Sequence, residues 1–150
     1  ATALQPLLKQ NIAPEHRGIY LATSDAGVVS SVDFWRAALD DSPRFANPAD
    51  FPWTLANAPA GYLARELHIH GPSYTLVGKA DAMLAGLEHA YDDLNNGIIH
   101  EAIIVACDLA STSPIQSTVL LLYNTNHSLP KTADETLSSC EYLKLGFELS

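Results

Sequence analysis

Cationic side chains are scarce in this chain. Eight Lys and Arg stand against 17 Asp and Glu, a formal net charge of −9 over 150 residues. An acidic surface repels phosphate backbones and anionic lipid, so neither nucleic acid nor a membrane surface is the expected partner. Cysteine is nearly absent as well. Cys107 and Cys140 are too few for a disulfide framework and lack the paired spacing of a metal knuckle. That usage fits a reducing compartment, and the expected location is cytoplasmic. No apolar run approaches the ~20 residues of a membrane span. Thr118 to Tyr123, among the longest, has the length of a strand. Ala1 to Pro6 has neither the basic start nor the apolar centre of a secretion signal, so none is expected. Phosphate-binding loops, dinucleotide fingerprints and the G-x-S-x-G nucleophile elbow are all missing.

What is present suits one globular domain. Hydrophobic residues make up 47% of the chain, enough for a core and too many for a disordered polymer. Charged residues are 17%, below the roughly 25% of an average domain, which hints at surface covered by a partner.

Leu4, Leu7, Leu8 and Ile12 have helical spacing and predict a short helix over residues 3–12. Gly18 to Thr23 reads as a buried strand, Val32 to Leu39 as a helix, and 40–52 as a loop with three prolines. Thr54 to Leu67 reads as a helix whose Ala and Gly content predicts close packing. Ser73 to Val77 is a strand and Asp81 to Asn95 a helix stopped by Asn96-Gly97. Ala102 to Cys107 and Val119 to Tyr123 are continuous apolar strands, and 124–150 gives no single reading. Apolar strands alternating with helices predict an α/β fold with a mixed, mostly parallel sheet. The 81–95 helix is apolar on most sides and is expected to be a central, buried one that needs cover from outside the chain.

Candidate chemistry is sparse. His68 and His70 form a two-residue pair with no third ligand at a diagnostic spacing, so no metal is expected. Cys107 ends a strand with no visible activating base, and reads as a small hydrophobe rather than a nucleophile. Asp92-Asp93 reads as a solvated helix end. Lys79, beside the start of a helix, is expected to pair with Asp81; its other reading is a contact for a carrier phosphate.

One stretch carries a resemblance. Phe51-Pro52-Trp53-Thr54-Leu55-Ala56-Asn57 leads into an Ala-Gly helix, then Gly71-Pro72-Ser73, a strand, Ala80, an apolar helix and the strand 102–107. In order and spacing this resembles the N-terminal half of β-ketoacyl synthases, in the thiolase-like superfamily, firmly over 51–110 and loosely over 1–40. The resemblance implies one shortened ketosynthase-like domain over 1–150, with half of a thiolase-like fold. The family's nucleophilic Cys falls at Ala80, whose methyl cannot form a thioester. The family's second half, with its His pair, is not recognisable in the residues that follow.

The resemblance therefore implies a catalytically inactive subunit similar to the chain length factors of type II polyketide systems, aryl polyene systems among them. No cofactor is implied. The implied partner is a full-length β-ketoacyl synthase in a heterodimer, with an acyl carrier protein served through that complex. The family pairs the strand before the nucleophile across its dimer axis, which here is Ser73, Tyr74, Thr75, Leu76 and Val77. Phe51, Trp53, Leu55, Met83 and Leu87 are the implied acyl-tunnel side chains, although each also reads as an ordinary core residue. The alternative readings are a stand-alone carrier-binding or structural module, and an enzyme working through His70 or Cys107.

Overall fold

The computed structural model describes residues 4–8, 10–107, 116–124 and 140–148. Five strands form one sheet in the order β2-β1-β3-β4-β5. They are β1 (Arg17–Thr23), β2 (Ser73–Val77), β3 (Glu101–Cys107), β4 (Gln116–Asn124) and β5 (Cys140–Glu148). β1 lies parallel to both β2 and β3, while β4 runs antiparallel to β3 and β5. Four strands therefore share one direction and β4 opposes them. The mixed, mostly parallel α/β sheet read from the sequence is the sheet that forms. Residues 125–139 lie outside the described residues; β5 falls in the tail that the sequence left open.

Strand alternation sends two apolar sets to opposite faces. Ile19, Leu21, Ile103, Val105 and Leu121 face α2 (Ala58–Glu66) and the N-terminal segment, including Leu4, Leu8, Ala60 and Leu67. Tyr20, Ala102, Ile104 and Leu122 face α3 (Ala80–Asn95), which presses Ala90 and Leu94 against them. The core is thus two sheets of contact, one on each side of the strands. α1 (Val28–Asp41) packs instead on short 3-10 turns at Pro43–Phe45 and Phe51–Thr54.

Three expectations are corrected. The helix over 3–12 is only a 3-10 turn at Gln5–Leu7, and Leu8 leaves the helical basin at ψ 135. So short a helix is marginal by itself, and Leu4 and Leu8 gain burial against the sheet without one. α1 starts at Val28, four residues early, because Gly27 at φ +77 turns the chain into it; the β-branched Val28 and Val29 hide that start. α2 starts at Ala58 rather than Thr54, with Pro59 in its first turn, where a missing N–H costs nothing. Its small residues do not all serve packing: Ala60 is buried, but a Cβ on Gly61 would meet nothing within 4 Å.

Gly71 does have a steric reason. A Cβ there would run into the Arg17 carbonyl oxygen and come within 2.7 Å of the Glu15 carbonyl oxygen. The Gly71-Pro72 turn thus crosses the start of β1 at backbone contact, and the Pro72 carbonyl accepts the Ile19 N–H at 2.9 Å. α3 ends as its sequence says. Gly97 sits at φ +70, its N–H donates to Leu94, and the Ile98 N–H donates to Asp93.

Candidate functional site

The same-direction strands β1, β2 and β3 end on one side of the sheet, where the Phe51–Thr54 turn, Lys79, Ala80 and Cys107 collect, while His68 and His70 precede β2 at the opposite end. Such carboxyl ends are where α/β sheets bind ligands. β1 runs into the Ser24 to Gly27 turn and α1, β2 into Gly78-Lys79 and α3, and β3 into Cys107.

Ala80 is the first residue of α3, three residues beyond the end of β2. β2 is an outer strand of the described sheet, hydrogen-bonded on one side to β1 from Ile19↔Ser73 to Thr23↔Val77. Tyr74 and Leu76 stand on the α3 side. Tyr74 is stacked between Tyr20 and His89, at 5.5 and 5.6 Å between ring centroids. Thr75 stands on the other face, in register with Leu21, and its buried hydroxyl has no hydrogen-bond partner. Ser73 and Tyr74 are exposed, as is Val77 at 58%. Beside this edge α3 turns Ala82, Gly86, Ala90 and Leu94 inward and leaves Leu84 and Tyr91 exposed. The described residues cover only one face of the helix expected to be buried on most sides.

The five tunnel candidates do not converge. Trp53 and Leu55 wall an apolar cavity of about 180 Å³ with Leu21, Pro59 and Cys107. It lies on the α2 face, at the carboxyl ends of β1 and β3. Met83 and Leu87 pack into the core between α3 and the opposite face. Phe51 meets neither group and makes an edge contact with Phe34 at 5.9 Å. Trp53 also leans on Tyr62, at 6.0 Å between ring centroids.

The remaining polar candidates have structural explanations. His68 sits at φ +52 beyond the last turn of α2, where the Ile69 N–H reaches back to Ala64 at 2.8 Å. It is a helix stop made without glycine. His70 lies 3.9 Å from Glu15, both exposed, and no cluster among the described residues could hold a metal ion. Lys79 and Asp81 form no ion pair, contrary to expectation. Asp93 is not simply solvated: Tyr20 Oη donates to its Oδ2 at 2.6 Å. Burial first, and then Asp93, push the Tyr20 phenol far above its ordinary range, so it stays protonated.

Sequence reading missed Cys107 as a cavity wall and Asp25 as its polar rim. The Asp25 carboxylate is held by the Thr23 hydroxyl at 2.9 Å. A Thr-x-Asp-x-Gly turn closing a strand was the available signal. No helix among the described residues is long and apolar enough to cross a membrane.

No protein-family model and no curated protein matches this chain. Solved structures do. One, the ishigamide ketosynthase/chain length factor, superimposes with a TM-score of 0.67 at 18% identity, over 76% of this chain and 37% of that chain. A second, the ketosynthase ApeO in complex with its chain length factor ApeC from Xenorhabdus doucetiae, gives a TM-score of 0.61 at 13% identity, over 81% of this chain and 52% of that chain. The chain spans between a third and about half the length of these two. The likeness is one of fold: the α/β architecture described above is shared with these ketosynthase/chain length factor structures.

Proposed function

We propose that this chain is a non-catalytic, chain-length-factor-like subunit that heterodimerises with a full-length β-ketoacyl synthase and shapes that partner's acyl tunnel. The observation that carries the reading is Ala80 at the head of α3, directly beyond the outer strand β2, in a fold shared with ketosynthase/chain length factor structures. A nucleophile at that place would sit where a helix N-terminus stabilises an anion. A methyl group has no lone pair to attack a thioester and no proton to give up. Condensation then belongs to the partner's Cys and His residues, and this chain needs no cofactor of its own.

Its contribution is shape. Among the described strands β2 pairs only with β1, so its outer edge is the one we assign to a partner strand, which is how sheets extend across chains. Tyr74, Val77, Leu84 and Tyr91 supply exposed apolar surface beside that edge. The cavity walled by Trp53, Leu55 and Cys107 suits the apolar end of a growing chain, and its walls would limit chain length. An acyl carrier protein would be served through the complex, which we place in the cytoplasm.

Co-expression with each full-length ketosynthase from the same source tests this, read by size-exclusion mass and a condensation assay. The expected result is a stable one-to-one complex whose activity needs this chain and disappears when the partner's nucleophilic Cys is replaced. A monomer that pairs with none of them overturns the reading and leaves a carrier-binding or structural module.

A further inference from the structure

A second cavity, of about 360 Å³, lies against the first. Ser30, Asp33, Phe34 and Ala37 of α1 line one side, and Asn47, Asp50 and Trp53 the other. Ser30 and Trp53 line both cavities. The indole and the serine are therefore a shared partition, and Trp53, 47% exposed, is the larger part of it.

The two chambers differ in chemistry. The inner one is walled mainly by Leu21, Leu55, Ala56, Pro59 and Cys107, with Thr23, Ser30 and the Asp25 carboxylate that the Thr23 hydroxyl ties at its polar side. The outer one brings two carboxylates, from Asp33 on α1 and Asp50 before the Phe51–Thr54 turn, to the same space as Phe34 and Trp53. Asn47 is in part committed, since its Oδ1 accepts the Ala49 N–H at 3.1 Å. Arg36 and Arg44, the nearest cations along the chain, line neither chamber. The outer chamber thus offers acceptors and aromatic faces without a positive charge. Its volume falls in the range of small-molecule sites.

We infer that the two chambers form one bipartite site across Trp53, for an apolar chain whose far end carries a hydrogen-bond donor. The apolar body lies against Leu21, Leu55 and Cys107. The donor, a hydroxyl or an ammonium, meets Asp33 and Asp50, with the rings of Phe34 and Trp53 adding attraction for a cation. A chain ending in carboxylate is rejected, because it would place a third negative charge beside two. This deepens the reading of the cavity as a tunnel wall by naming the terminal chemistry that it selects.

The test uses the whole chain without any ketosynthase, so its result does not depend on partnering. Octylammonium, octan-1-ol and octanoate are titrated by calorimetry, in the wild type, in Asp33→Asn/Asp50→Asn, in Trp53→Ala, and in Asp92→Asn as a control for general surface charge. Octylammonium is expected to bind at least tenfold tighter than octanoate, with octanol between them. The double variant should lose that preference and the Asp92 variant keep it. Trp53→Ala should weaken octylammonium by more than octanol. Equal binding of the three probes, binding of none at millimolar concentration, or a preference that survives in the double variant would overturn the inference. A chain that shows the preference yet pairs with no ketosynthase overturns only the proposed function.

Discussion

Arg17 and Glu101 face each other across β1 and β3, with Nε donating to Oε2 at 2.6 Å and both side chains almost fully buried. They are register partners in the parallel pairing, so the pair fixes which residues of the two strands meet. A one-residue slip would separate the charges and send every apolar side chain of β3 to the wrong face. Replacing Glu101 removes the carboxylate that faces the buried Arg17 guanidinium at 2.6 Å. Glu101→Gln is expected to cost about 3–5 kcal/mol, read by chemical denaturation. A loss within the range of a surface substitution would mean that the pair does not set the register.

The Tyr20 phenol gives a pH prediction. Its folded pKa is raised, by burial first and Asp93 second. A raised pKa stabilises the fold fully below the unfolded value, about 10 for tyrosine. That contribution is lost as pH climbs from there toward the folded pKa. Stability should fall above about pH 10, and Tyr20→Phe should flatten the fall. The same substitution should cost about 1.5–3 kcal/mol at neutral pH, the worth of a hydrogen bond to a charged group. Tyrosinate absorbance should show one of the six tyrosines ionising only with unfolding.

Two glycines should answer alanine in opposite ways. Gly71→Ala places a methyl on the carbonyl oxygens of Arg17 and Glu15. It should destabilise by about 1–3 kcal/mol or more, because backbone cannot step aside. Gly86, on the buried face of α3, would put an added methyl 3.5 Å from Leu76 Cδ1 and 3.8 Å from Ile104 Cγ2, ordinary contacts. Gly86→Ala should therefore stabilise by up to about 1 kcal/mol, the helix-propensity gain. Thermal melts of the two variants decide this.

The separation of the tunnel candidates predicts separate phenotypes. Leu55→Trp fills the cavity beside Trp53 and should shorten the product of the ketosynthase complex while leaving the chain folded. Met83→Ala and Leu87→Ala empty the core under α3 instead. Each should cost about 2–5 kcal/mol without a matching change in product length. Product mass spectrometry set beside melting temperatures distinguishes the two. Length changes from Met83 with unaltered stability would contradict the placement.

Local signals account for what the sequence disclosed. β2 is bounded as read because Gly71-Pro72 and Gly78 punctuate it. α3 stops where Asn96-Gly97 says it must, and β3 is a continuous apolar run suited to a strand buried on both faces. What escaped was long-range or tertiary. Arg17 and Glu101 are 84 residues apart, and Tyr20 and Asp93 are 73 apart; neither pairing has a pattern in the chain. Helical spacing at Leu4, Leu7, Leu8 and Ile12 reflected burial against a sheet rather than a helix. The site was half legible. Trp53 and Leu55 fell into one cavity, while Met83 and Leu87 shared their apolar character but not their side of the sheet.

The two ends of the sheet are built differently. At the amino ends of β1 and β3 the backbone is laced together. The backbone N–H of His70 donates to Pro14, that of His100 to His16, and that of Asn124 to His100, at 3.0, 2.8 and 3.1 Å, while the His16 and His100 rings meet at 4.5 Å between centroids, tilted by 36°. At the carboxyl ends stand α1, the Phe51–Thr54 turn and the start of α3, rich in exposed Val28, Val32, Trp35 and Leu39. Heritable change is therefore channelled. Substitutions at the laced end touch the starts of β1, β2 and β3 and the end of β4 together, whereas the other end can be rewritten one segment at a time. A lineage carrying this sheet can exchange what it accommodates while inheriting its scaffold intact.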